Sequence, residues 1–243
     1  MRSLLFILLA LLPGIVAAAD VSFPGVDIQF DDGGADLSLA LKILLGMTVL
    51  SLAPGILIVM TSFTRIILVL AMLRHALGMQ QTPPNMVLVS LALILTLFSM
   101  KPVIEEINSQ AYQPYTNEEI GSEAALDRGV QPLRSFMLRQ TREEDLELIY
   151  EIMADDPPGK VDDVELSALV PAFLLSELRT AFQIGFIIFI PFLLVDIVVA
   201  SMLMSLGMMM VPPMMISLPI KILVFVLIDG WSLVTLSLMN SFV

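Results

Sequence analysis

Five long apolar runs, none of them an uninterrupted membrane span, constrain this chain more than any other feature. They are Leu37 to Met60, Ile66 to Leu73, Met86 to Met100, Phe182 to Val211 and Met214 to Val243. A simple transmembrane helix needs about 20 consecutive apolar residues. The first run is cut at Pro54-Gly55, the second is short and follows Arg65, and the third ends at Lys101-Pro102. The fourth carries Pro191 and Asp196, and the fifth carries Pro219, Lys221 and Asp229. Proline inside a spanning helix is tolerated where neighbouring helices satisfy the freed carbonyls. So many interruptions point to Pro-broken apolar helices packed mainly against protein, with three or four insertions into the membrane. The predicted class is all-α.

With 57% hydrophobic residues and a mean hydropathy of +0.91, the chain is an integral membrane protein, since soluble domains average about 45–50% apolar residues. Cysteine is absent and His75 is the single histidine. Disulfides, thiolate chemistry and cysteine-based metal sites are therefore excluded, and little remains for a catalytic triad or a zinc site. There is no Gly-rich phosphate loop and no Gly-x-Ser-x-Gly elbow. No enzymatic role, cofactor, metal or nucleic-acid partner is expected.

Residues 1–19 read as a cleavable signal peptide: Arg2, an apolar core from Leu4 to Leu12, and Ala17-Ala18-Ala19 before Asp20. Between Ile104 and Ser167 there are 16 acidic and five basic residues, and Asp20 to Asp36 adds five acids and no base. Thr61 to Asn85 carries Arg65 and Arg74 and no acid. Short basic stretches stay cytoplasmic, which predicts that Thr61 to Asn85 is cytoplasmic and that both acidic stretches lie outside. The expected organisation is a signal (1–19), an acidic extracytoplasmic segment (20–36), an apolar helical hairpin region (37–103), an acidic helical region (104–167) and a second apolar hairpin (168–243).

The acidic region carries helix punctuation. Thr116-Asn117-Glu118-Glu119 and Thr141-Arg142-Glu143-Glu144 both match a capping box. Gly129 and Pro132 read as the stop of one helix and the start of the next. Leu146, Ile149, Tyr150 and Met153 follow the spacing of an amphipathic helix, which Pro157-Pro158-Gly159 would end. Glu143, Glu147, Glu151 and Asp155 share one helical face, read as solvated. Arg134, Arg139 and Arg142 sit within this acidic block, available to pair with its acids or to clamp a neighbouring subunit.

Charges in apolar runs are expensive, at least about 2.5–3.5 kcal/mol at mid-membrane, so they face a partner or water. Arg65, Glu177, Asp196, Lys221 and Asp229 are the candidates. If the last two runs form an antiparallel hairpin, Glu177 and Lys221 meet, and an ion pair between them is predicted. The alternative is two separate groups snorkelling to interfaces. The turn of that hairpin is itself apolar: seven of the 17 methionines fall between Met202 and Met215, around Gly207-Met208-Met209-Met210-Val211-Pro212-Pro213. Methionine is unbranched and polarizable and adapts to varied neighbours, so this loop requires burial in protein, lipid or a narrow pore.

Several stretches together resemble the FliP family of flagellar export-gate proteins. They are Pro171-Ala172-Phe173-Leu174-Leu175-Ser176-Glu177-Leu178-Arg179-Thr180-Ala181-Phe182-Gln183-Ile184-Gly185, Thr61-Ser62-Phe63-Thr64-Arg65-Ile66, Leu138-Arg139-Gln140-Thr141-Arg142, Gln81-Thr82-Pro83-Pro84-Asn85 and the methionine loop. The resemblance spans about Leu37 to Trp231. It implies a non-enzymatic core subunit of the flagellar type III secretion apparatus at the bacterial inner membrane and flagellar basal body. Several copies, a pentamer-like homo-oligomer, would form a helical ring with FliQ- and FliR-like subunits and an FlhB-like partner. Membrane lipid would surround part of the complex, and much of it would lie on the periplasmic side. Unfolded flagellar proteins would pass through the channel. By resemblance Met208, Met209 and Met210 line the closed pore, while Glu177 and Lys221, with Arg65 and Arg142, serve assembly. The signal peptide favours the flagellar branch over the injectisome branch. An ion-coupled carrier working through Glu177 and Asp196 is the competing class.

Overall fold

A computed structural model describes residues 58–155, 158, 163–208 and 211–242, with positions 44, 46–48, 51–52 and 55–56. The expected signal peptide and the 20–36 segment lie outside the described residues, as do Met209, Met210, Pro157 and Gly159. Residues 53–243 form one compact unit. The helices in it are α1 (Phe63–Ala76), α2 (Asn85–Ser99), α3 (Lys101–Ile107), a π-helical turn (Asn108–Tyr112), α4 (Gln113–Thr116), α5 (Ser122–Gln140), α6 (Glu143–Met153), α7 (Leu166–Ser205), α8 (Met214–Leu227) and α9 (Gly230–Asn240). Among the described residues there is no strand, and the all-helical expectation holds.

Helix α7 is the spine. At 1.5 Å per residue its 40 residues extend about 60 Å, twice the thickness of a bilayer's hydrocarbon core. The apolar residues packed along it change partner as it proceeds. Near its start, Ala168 and Ala172 meet Ile149 and Tyr150 of α6. Leu169 and Phe173 pack with Phe136 and Met137 of α5 and with Val103 of α3. Ala181 then joins Ile66, Val69 and Leu70 of α1 and Leu88, Ala92 and Leu95 of α2. Farther along, Phe192 meets Leu73 and Ala76 of α1 and Phe225 of α8. The run Ile66 to Leu73, too short to span a membrane, lies in α1, whose Ile66, Val69, Leu70, Leu73 and Ala76 are buried against these neighbours. A helix apolar nearly all round belongs in a core.

Three of the prolines do not break the helices that hold them. Pro171 and Pro191 lie inside α7, and Pro219 lies inside α8. An internal proline forfeits one backbone hydrogen bond and costs about 3 kcal/mol. Packing on both sides of Pro171, by Leu169 and Phe173 on one core and Ala172 on another, offsets that loss. The real breaks are a 56° bend between α2 and the α3–α4 segment and a 66° bend between α8 and α9. At the first, Pro102 sits in the opening turn of α3, where its missing N–H costs nothing. At the second, Asp229 adopts a left-handed φ of 50°. Gly230 follows it because a Cβ there would fall 2.1 Å from the Phe225 ring.

Among the described residues, α7 alone is long and apolar enough to cross a membrane by itself, or three spans exist if each bent pair counts as one. The protein is thus membrane-associated; the described residues supply one to three spans against the three or four expected, and most of the run from Leu37 to Met60 lies outside them.

The acidic region departs from its punctuation. Gly129 and Pro132 lie within the continuous helix α5. Thr116 ends α4 instead of capping a helix, its hydroxyl donating to the Gln113 carbonyl at 2.9 Å. The second box is also unformed: Arg142 is the N-cap of α6, and the Thr141 hydroxyl donates back to Met137 O at 2.7 Å. The amphipathic helix itself is present, with Ile149 and Tyr150 buried and Glu143, Glu147, Glu151 and Asp155 exposed. It ends at Met153, followed by Ala154 in the left-handed region.

Candidate functional site

The charges that the sequence singles out gather into two polar centres on α7, and the methionine turn caps its far end. The first centre is built around Arg65, which α1 carries in its first turn. Arg65 is 2% exposed and Glu177 is fully buried. The Arg65 Nε–H donates to Glu177 Oε2 at 3.0 Å, and Nη2 donates to Glu177 Oε1 and, at 2.9 Å, to Gln140 Oε1. Nη1 donates to the Ser241 carbonyl at 2.8 Å and to its hydroxyl at 3.1 Å. The guanidinium carbon lies 4.1 Å from the centre of the Phe242 ring. Guanidinium has five N–H donors, and each has an acceptor here. A buried charge pair is tolerable only when its remaining hydrogen-bonding capacity is met. Arg65 thereby joins α1, the end of α5, α7 and the turn after α9.

Directly beside it, the α5–α6 junction grips the same stretch of α7. Ser176 Oγ donates to Asp145 Oδ2 at 2.6 Å and accepts the Arg142 backbone N–H at 3.0 Å. Arg179 bridges Glu144 and Asp145, each at 3.0 Å. The Arg142 guanidinium donates to Gln183 Oε1 at 2.7 Å and Thr180 Oγ1 at 3.4 Å. Asp145 is buried in the first turn of α6, where the helix dipole also favours negative charge. Within Ser176-Glu177-Leu178-Arg179-Thr180, every polar side chain thus has a partner on another element.

The second centre corrects an expectation. Glu177 and Lys221 do not pair. Lys221 Nζ donates to Asp196 Oδ2 at 2.5 Å and to the Ala76 carbonyl at 3.1 Å. A hairpin of α7 with α8 opposes residues nearly equidistant from the turn, and Asp196 satisfies this while Glu177 lies more than five helical turns farther back. The ammonium also sits at the last residue of α1, where the helix dipole favours a cation. Asp229 is exposed, and no contact among the described residues explains its charge.

Arg65 is likewise not a loop charge. Its contact with Gln140 places it at the level where the acidic helix α5 ends, while Arg74 lies at the other end of α1, donating to Asn85 Oδ1 at 2.6 Å. Arg134 donates to the Val164 carbonyl at 2.6 Å.

At the far end, α7 closes in a Schellman turn: Gly207 takes φ 75° and the Met208 N–H reaches back to Leu203 O at 3.0 Å. Pro212 O then accepts the first bond of α8, from Met215, and Pro213 O those from Ile216 and Ser217. Met202, Met204, Met208, Met214 and Met215 are all exposed around this turn. Sequence reasoning singled out Glu177, Arg65, Arg142, Lys221 and Met208 but missed Gln140, Asp145, Ser176, Arg179 and Ser241. For Gln140, Ser176 and Arg179 the available signal was their place inside the same motifs; Asp145 and Ser241 lie outside them.

The FliP family model matches residues 46–238. The flagellar biosynthetic protein FliP of Bacillus subtilis is 53% identical over 207 residues, covering 85% of this chain and 94% of that protein. FliP of Pectobacterium carotovorum is 50% identical over 220 residues, 90% of this chain and 85% of the relative. FliP of Aquifex aeolicus is 47% identical over 221 residues, 90% and 92% of the two chains. The chain belongs to the FliP family of flagellar biosynthetic proteins.

Proposed function

We propose that this chain is a non-enzymatic core subunit of the flagellar type III protein export gate. Several copies assemble in a ring with FliQ- and FliR-like subunits, next to an FlhB-like partner, in the bacterial inner membrane at the flagellar basal body. Much of the ring stands on the periplasmic side, and unfolded flagellar proteins pass through it. Met208, Met209 and Met210 close the channel between passages.

The observation that carries this reading is the methionine turn, an apolar, exposed tip at the end of a hairpin. No single chain can bury such a tip, whereas several copies brought around one axis can. Soft thioether side chains exclude hydrated ions when they meet, yet yield to any passing sequence. The polar centres support the same reading from the other end. Glu177, Arg65 and Arg142 spend their hydrogen bonds within one chain. They serve assembly by fixing the shape that each copy presents, and Lys221 does so for the hairpin. A carrier reading finds no support in Glu177, whose two oxygens are both held by Arg65 in a buried site.

The test is to replace Met208, Met209 and Met210 together with Ala and measure small-ion leak across the membrane of cells that retain the assembled complex. Leak should rise while the complex keeps its size. An intact complex with unchanged leak would remove the seal from the proposal.

A further inference from the structure

The acidic region contains an apolar groove that the polar centres and the methionine turn do not use. It lies between the π-turn–α4 segment and the first half of α5, encloses about 500 Å³, and is lined almost wholly by apolar atoms. Its floor is made of small residues. A Cβ on Gly129 would lie 3.5 Å from that of Ala111, in ordinary contact, so the two helices approach closely without a large side chain to fill the space above. Its walls are Tyr112, Tyr115 and Leu126, which stand 62%, 49% and 71% exposed. Tyr112 belongs to the π-helical turn Asn108–Tyr112, and such wide turns inside α-helices are frequent at functional sites because they re-aim side chains.

We infer that this groove docks a helical segment of another protein, one that brings an apolar anchor flanked by lysine or arginine. Charge selects this occupant. Glu105, Glu106, Glu118, Glu119, Glu123 and Asp127 are exposed on the segments bordering the groove, against Arg128 and Lys101, which pairs with Glu105 at 3.7 Å. Glu123 and Asp127 directly follow the lining residues Ser122 and Leu126. A second copy presenting this same face would bring carboxylates onto carboxylates, and like charges juxtaposed across an interface cost several kcal/mol. An anionic lipid surface is repelled for the same reason. A small-residue floor between aromatic walls fits the helix-in-groove mode, in which residues on one helical face provide the anchors.

The experiment uses the full chain in cells that build flagella. Leu126 is replaced with the photoreactive p-benzoylphenylalanine; a second strain carries the same residue at Leu148, exposed on α6, as a control for chance collision. Irradiation should give an adduct from position 126 and none of the same mass from position 148. Mass spectrometry should place the adduct in a different protein, in a helical segment with an excess of Lys and Arg. The combined reversal Glu123→Lys with Asp127→Lys should lower its yield about tenfold, because the rim charges steer and hold the partner. Both carboxylates are exposed, so the level of folded chain should not change. An adduct to a second copy of this chain, to lipid or to an acidic segment would overturn the inference. So would no adduct, or a yield indifferent to the charge reversal.

Discussion

Arg65 and Glu177 show how a charge can sit in the interior of an otherwise apolar protein. Removing one member of a buried pair strands the other and costs about 3–5 kcal/mol. Here the stranded group would be a guanidinium whose five donors were all engaged. Glu177→Gln and Arg65→Met should therefore each lower the unfolding midpoint in mixed micelles sharply, and the double variant should lose less than the sum of the two. Additive losses would show that the pair does not act as one unit. The Lys221–Asp196 pair should behave more mildly. The Asp196 side chain is 41% exposed, so this pair is less sealed within the chain than Arg65 and Glu177 are. Asp196→Asn should cost clearly less than Glu177→Gln, measured in the same micelles. Combining Glu177→Gln with Lys221→Met should give additive losses, because the two groups share no partner. Coupling between them would restore the pairing expected from the hairpin.

At the scale of elements, the sequence is legible where burial follows a period and illegible where tertiary packing overrides a local signal. The amphipathic face of α6 could be read because Ile149 and Tyr150 are both periodic and buried. The capping boxes could not, because Thr116 and Thr141 bond backward to the preceding turn instead of forward. Proline misleads for a related reason: it reports a local cost, and α7 has packing on several sides to offset it. The charged residues could be found because charge in an apolar run is rare. Their partners could not, since Gln140 and Ser241 lie 75 and 176 residues from Arg65. The close approach of α1 and α7 was equally hidden. A Cβ on Gly185 would fall 2.3 Å from Met72 Sδ and 3.2 Å from Met72 Cβ. The thioether can swing aside, but the Met72 Cβ is fixed to its helix. Gly185→Ala should thus be tolerated at modest cost, whereas Gly185→Leu should force the helices apart and cost about 1–3 kcal/mol. Equal unfolding midpoints for the two variants would mean that α1 and α7 are not tightly pressed together there.

For the whole molecule, the decisive property is how much apolar surface remains uncovered after the chain has folded. Phe182, Phe186, Ile190, Leu193, Leu194 and Ile197 are exposed along α7, and Met86, Leu93, Leu97 and Phe98 along α2. Contiguous patches of this kind mark contact with lipid or with other subunits. The two destinations respond differently to a polar substitution. Phe186 is 66% exposed, whereas Phe173, seven residues beyond the start of the same helix, is fully buried with an edge contact to Phe136 at 5.9 Å. Phe173→Ala leaves a cavity in the core and should cost about 3–5 kcal/mol, lowering the amount of protease-resistant chain. Phe186→Ser touches no intrachain core, so protease resistance should persist while the size of the complex extracted in mild detergent falls. If Phe186→Ser leaves the complex at full size, this face meets lipid instead of a neighbouring subunit. The proposed ring would then have to be held by the faces of α2, α8 and α9.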